Sequence, residues 1–214
     1  YQSLGTDMGA QRAQAEYETV IREDQDGNYT QRSLVQLAEI LFERQQYGAA
    51  AARAEQLLDS YPGSDYIDEA YMRLALSRQA ENDLARAGEA FLKIPATSPY
   101  FARARLGAGH VFLAQRKFAT ASRVLEEGFV QAKDDAQIGG YHYLLGQAYS
   151  NQATYQRAVE HYTKALDFPA SQELEQAIRL GRASAAFAVE NYTLGQEDLR
   201  WIVNNVKDRL AGRG

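Results

Sequence analysis

The stretch YHYLLGQAYSNQATYQRAVEHYTKAL, residues 141–166, holds two of the three histidines in the chain and five of its tyrosines. Two readings compete for it: a reactive constellation, or a code for how helices pack. Its small residues decide between them. Gly146 sits inside one apolar-periodic run, and Ala158 sits in the next with Tyr162 one helical turn beyond it on the same face. A small residue on each of two helices lets their backbones approach, and the large residue a turn away fills the space beside that contact. The stretch therefore encodes a helix hairpin.

Working outward, the same pair recurs along the whole chain. Ala38, Ala75, Gly109, Gly146 and Ala183 are separated by 37, 34, 37 and 37 residues. Ala13, Ala50, Ala87, Ala121, Ala158 and Gly195 follow at 37, 37, 34, 37 and 37, in register with the first series and twelve residues after it. Four residues past each member of the second series stand Tyr17, Ala54, Phe91, Leu125, Tyr162 and Leu199. One such hairpin cannot bury its apolar stripe, but a stack of them can, and the result is a quasi-one-dimensional solenoid with a continuous core. The expected class is all-α, without strands. About eleven helices are predicted near 8–24, 30–45, 48–60, 66–81, 84–95, 101–116, 118–132, 137–152, 155–168, 172–190 and 193–210. Breakers separate them at Asp26-Gly27-Asn28, Tyr61-Pro62-Gly63-Ser64, Pro95, Ser98-Pro99, Asp134-Asp135 and Pro169. No low-complexity linker divides the chain, so residues 1–214 read as a single solenoid. It comprises a half repeat at 8–25 and repeats at 31–67, 68–101, 102–138, 139–175 and 176–210.

Composition narrows the function. With 23 Lys and Arg against 28 Asp and Glu, a net charge of -5 argues against a surface that tracks nucleic-acid phosphates or an anionic membrane. No apolar run reaches the roughly 18 residues that a membrane-spanning helix needs. The absence of cysteine excludes disulfides, thiolate metal sites and cysteine nucleophiles. A start at Tyr1 rather than Met is expected of a processed or excised chain, with any export signal or lipid anchor upstream.

The repeated unit resembles the tetratricopeptide repeat, whose pattern is a large aromatic, Leu-Gly, an aromatic, then Ala-x3-Phe and Pro. His142, Leu145-Gly146, Tyr149, Ala158 and Tyr162 match it best. Leu34, Leu37-Ala38, Leu41, Ala50, Ala54 and Pro62 match in the first repeat, and Tyr71, Leu74-Ala75, Ala87, Phe91 and Pro99 in the second. The copies around Gly109 and Ala183 are weaker. Residues 8–25, with Ala13, Tyr17 and Val20, resemble the second helix of a repeat. The resemblance implies a right-handed superhelical solenoid of stacked antiparallel hairpins. A narrower likeness lies in LLDSYPGSDYIDEAYMRLALS, residues 57–77. Its Tyr61, Pro62, Ser64, Tyr66, Glu69 and Ala70 are similar to the inter-repeat join of bacterial envelope members of the BamD and Tol-Pal coordinator kind. That likeness implies the bacterial periplasm or cell envelope.

The residues offer little chemistry. His110, His142 and His161 form no HExxH and no pair at i and i+4, so neither a metal, a cofactor nor an enzymatic centre is expected. His142 falls at a large-residue packing position, and His161, beside Tyr162, is expected to lean outward. Arg103, Arg105, Arg116, Lys117 and Arg123 read as a solvated face with ion pairs to neighbouring repeats.

What the resemblance does imply is a concave groove lined by the first helix of each hairpin. Carried over by position, the groove candidates are Arg32, Val35, Glu39 and Phe42 in the first repeat. The second contributes Glu69, Met72, Leu76 and Gln79, and the third Arg103, Leu106, His110 and Leu113. Tyr143, Gln147 and Ser150 follow, then Leu180, Ser184 and Phe187. The fifth positions are apolar or aromatic and lack the lysine and asparagine with which chaperone-binding members clamp a C-terminal carboxylate. The expected function is a non-enzymatic scaffold holding a protein or peptide segment in this groove. The alternative is a self-assembly module that oligomerises through exposed hairpin edges, with Trp201, Ile202 and Val203 as its surface.

Overall fold

A computed structural model describes residues 2–24, 27 and 29–211, with side chains described over 8–24, 27 and 29–205. Asp26 and Asn28 of the first predicted turn lie outside the described residues. Among the described residues every regular element is an α-helix, and there are eleven. They are α1 (Gln2–Glu23), α2 (Thr30–Glu43), α3 (Tyr47–Ser60), α4 (Ile67–Ala80), α5 (Leu84–Leu92) and α6 (Phe101–Ala114). After them come α7 (Phe118–Phe129), α8 (Asp135–Asn151), α9 (Tyr155–Ala165), α10 (Gln172–Ala188) and α11 (Tyr192–Ala211).

The chain forms two compact units, Tyr1–Gly107 and Ala108–Gly214, with the division inside α6. In the first, Leu34 and Val35 of α2, Leu57 of α3 and Ala70 of α4 form one core, flanked by Ile21 of α1. Leu37, Leu41 and Ala50 form another, against Tyr17 and Phe42. In the second unit the two small-residue series meet their large partners as the spacing predicts. A Cβ on Gly109 would lie 2.3 Å from Leu125 Cδ2, and one on Gly146 would lie 2.7 Å from Tyr162 Cδ1. Ala38, Ala50, Ala75, Ala87, Ala121 and Ala158 are fully buried.

Helix boundaries follow local chemistry. Asp83, Asp134 and Ser171 cap α5, α8 and α10, each side chain accepting a bond from the backbone N–H three residues on. α5 stops at Leu92, short of the expected end, because Pro95 disfavours helical geometry in the residue before it. α1 starts six residues ahead of expectation and runs through Gly9, whose cost of about 1 kcal/mol against Ala does not end a helix.

The turns inside the hairpins carry a periodicity that no residue type advertises. Gln45, Asn82, Arg116, Ala153 and Glu190 all have φ between 56 and 63°, at the same 37, 34, 37 and 37 spacing as the small residues. At each, two backbone N–H groups turn back onto the preceding helix, as in Ala153 N to Ser150 O at 3.1 Å and Thr154 N to Tyr149 O at 2.9 Å. This is the Schellman cap, which satisfies orphan helix carbonyls and redirects the chain into the second helix.

Candidate functional site

In the first unit the groove candidates divide. Val35 and Met72 are 1% and 2% exposed and offer no surface to a ligand, which corrects their placement in a groove. The physical reason is that the first helix of a hairpin is gripped by second helices on two sides, so positions beside the apolar stripe turn inward: Val35 joins Leu34, Leu57 and Ala70. Glu39 is half-buried and accepts from Arg73 at 2.6 Å, and Glu69 lies 3.8 Å from the same guanidinium. Phe42 is half-buried with its ring 5.2 Å from that of Tyr47. Leu76 and Leu106 are half-buried, and Arg103 is exposed. Arg105 departs from the solvated face expected of it: it is buried, donates to Phe91 O at 3.1 Å and stacks 4.4 Å above the Phe101 ring.

The second unit assembles a site. An open cleft of about 540 Å³ is lined by His110, Leu113 and Ala114 of α6, Arg116 and Phe118 at the following turn, Gln147 and Asn151 of α8, and Tyr162 of α9. His110, Leu113 and Gln147 are groove positions predicted from the sequence. Asn151 stands one turn after Gln147 and was legible as the same helix face; Arg116, Phe118 and Tyr162 enter only through the fold. Leu113, Phe118 and Tyr162 supply apolar wall, and His110, Gln147, Asn151 and Arg116 supply donors and acceptors. The φ of +59° at Arg116 is shared by all five hairpin turns, so it is capping geometry and not strain peculiar to the cleft. Beside the cleft, Gln147 Nε2 donates to the Tyr143 hydroxyl at 2.6 Å, and the Tyr143 ring lies 6.4 Å from that of Tyr162. Burial pushes the hydroxyls of Tyr143 and Tyr162 above their ordinary titration range, so both stay neutral. Ser150 is half-buried on the same helix. Leu180 is 58% exposed on α10, while Phe187 is half-buried against Gly195.

The histidines take another course. His142 is buried as expected, but His161 does not lean outward: the two Nδ1 atoms are 3.0 Å apart. His161 stacks on Tyr149 with ring centroids 5.4 Å apart, and Phe129 closes over His142 at 4.9 Å. His161 is drawn in because two neutral imidazoles can share one proton between facing nitrogens, and the aromatic rings of Tyr149 and Phe129 pack against the pair. Burial first, and the facing His161 second, lower the pKa of His142 to about 4; burial also lowers that of His161. Among the described residues no three His, Asp or Glu side chains group around a metal position.

In α10 and α11 the sequence reading missed a buried ionic knot. Asp198 is fully buried and accepts from Arg182 at 2.7 and 2.8 Å and from Arg179 at 3.1 Å. Among the described residues no helix is long and apolar enough to cross a membrane.

A tetratricopeptide-repeat family model matches residues 32–64. No curated protein matches the chain significantly. Among solved structures, MamA 41-end from Desulfovibrio magneticus RS-1 is 17% identical with a TM-score of 0.70, covering 83% of this chain and 96% of that one. BtubC from P. vanneervenii is 17% identical with a TM-score of 0.71, covering 97% and 91%. The TPR-like repeats of a putative kinesin light chain from Podosopora anserina are 17% identical with a TM-score of 0.61, covering 79% and 91%. Identities this low speak for the fold alone. The chain thus has the all-helical fold of a tetratricopeptide-like solenoid, and carries within it a segment, residues 32–64, that matches the tetratricopeptide repeat itself.

Proposed function

We propose that this protein is a non-enzymatic interaction scaffold that holds a segment of another protein in the cleft of the second unit. The observation that carries this is the convergence of His110, Leu113 and Gln147, from two successive first helices, on one open cleft with an apolar wall and a polar rim. Such a surface seats an apolar side chain against Leu113 and Phe118 while Gln147, Asn151 and Arg116 hydrogen-bond the segment's main chain or polar groups. Leu113→Glu, combined with Gln147→Ala, is expected to abolish capture of a partner identified by cross-linking to the wild type, with an unchanged melting temperature; undiminished capture would remove the cleft from this role.

The join at residues 57–77 supports a setting in the bacterial envelope, which fractionation of cells expressing the full protein checks. The alternative, self-assembly through exposed hairpin edges, is favoured by Leu199 and Val203 of α11, which are 37% and 50% exposed. Light scattering over a dilution series decides it: a mass that stays monomeric at high concentration rules it out.

A further inference from the structure

The joint between α4 and α5 and the joint between α8 and α9, 71 residues on, are two versions of one design. At the first, a pocket of about 260 Å³ is walled by Tyr71, Leu74 and Arg78 of α4 and by Ala90 of α5. Glu55 of α3, Arg86 and Glu89 of α5, and Lys93 at the end of α5 complete its lining. At the second joint five of these eight residues recur unchanged, as Glu126, Leu145, Arg157, Glu160 and Lys164. The difference lies in the other three: Tyr71, Arg78 and Ala90 become His142, Tyr149 and His161.

At the second joint the His161 ring fills this level, with Nδ1 3.0 Å from that of His142 and its face stacked on Tyr149 at 5.4 Å between centroids. Alanine at position 90 removes that ring from the first joint and keeps most of what surrounds it. Arg78, at the position of Tyr149, retains the capacity to stack, because a guanidinium plane packs on an aromatic face much as a phenol ring does. Its nitrogens are held by Glu55 at 2.6 Å and Glu81 at 3.0 Å, which fixes the plane. Tyr71, at the position of His142, brings a hydroxyl that can donate or accept. The charges of the lining are matched: Arg78 has its two carboxylates, Arg86 lies 3.6 Å from Asp83, and Glu89 and Lys93 stand one helical turn apart. The pocket therefore calls for an uncharged ring. At about half the volume of the cleft, it suits a ring with its substituents and not a length of chain.

We propose that the α4–α5 pocket binds a small molecule through one flat, uncharged nitrogen-containing aromatic ring, seated as the His161 ring is seated between α8 and α9. Arg78 stacks on the face of that ring, and the Tyr71 hydroxyl takes the part of His142 toward its nitrogen. The site lies in the first unit and is independent of the cleft and its role.

The probe is benzimidazole, titrated into the intact protein at a pH where it is uncharged, with methyl-resolved NMR to locate it and equilibrium dialysis to count it. A saturable shift of the Ala90 methyl resonance is expected. Ala90→His, which supplies the ring from within, should weaken binding by about tenfold or more without lowering the melting temperature. His161→Ala should open the matching site at the second joint and add one further equivalent of bound probe. Should His161→Ala fail to fold, Ala90→His decides alone. The proposal is overturned if the Ala90 methyl shows no saturable shift, if Ala90→His binds the probe as the wild type does, if folded His161→Ala gains no equivalent, or if cyclohexanol, a ring without aromatic faces, binds as tightly.

Discussion

The hairpins α8–α9 and α10–α11 are the same element one period apart, yet they are joined by opposite chemistry. His142 and His161 face each other across the first; the positions 37 residues on are Arg179 and Asp198, which face each other across the second at 3.1 Å. The repeat geometry therefore prescribes that two side chains meet at this level, and leaves open whether they are a neutral pair in an aromatic box or an ion pair. Either solution satisfies buried polar atoms, but they respond differently to mutation.

The largest expected effect lies at the ionic joint. Asp198→Ala leaves Arg182 buried and uncompensated, and urea unfolding is expected to show a loss of about 3–5 kcal/mol. A loss below 1 kcal/mol would mean that the knot is solvated and that the two hairpins differ less than their geometry implies. At the small contact of the other hairpin, Gly146→Leu drives a side chain into Tyr162 and should cost about 1–3 kcal/mol. A variant melting like the parent would break the register on which the comparison rests.

Acid tests the histidine joint next. The His142 pKa is lowered from its ordinary 6.5 to about 4 in the folded protein, so the unfolded chain takes up a proton before the folded one does. Its contribution is therefore present above pH 6.5 and is lost as pH falls from there toward 4, where the folded form protonates too. Denaturation profiles across that window should fall for the wild type and flatten for His142→Phe; equal slopes would show that the pair does not titrate as its burial requires. The smallest effect is expected at the turn between α8 and α9. Ala153→Gly, at φ 56°, should raise stability by about 0.5–1 kcal/mol, because a left-handed alanine is strained where glycine is not. The same Gly substitution at Glu190, in the turn between α10 and α11, should do likewise, since its φ of 60° gives the same cap.

Much of the candidate site was legible before the fold was known, but unevenly. His110 and Gln147 could be placed on the first helices of their hairpins because position within a repeat follows from counting. Val35 could not be sorted correctly by the same count: it stands one residue from Leu34, and the neighbouring helices close over both positions. Asp198 carried no signal at all: an acidic residue in a polar helix reads as solvated until Arg179 and Arg182 are seen to close over it.

By itself the sequence determined the number of hairpins, their period and the small-to-large contacts within them. Those are properties of spacing along a helix, where every third or fourth residue shares a face regardless of what surrounds it. Tertiary structure alone decided that His161 turns inward, that Arg105 is buried, and that Gln45, Asn82, Arg116, Ala153 and Glu190 share a left-handed cap. Each of these depends on what a neighbouring helix places opposite a side chain or a carbonyl. That is a relation between residues distant in the chain, and periodicity within one helix does not encode it.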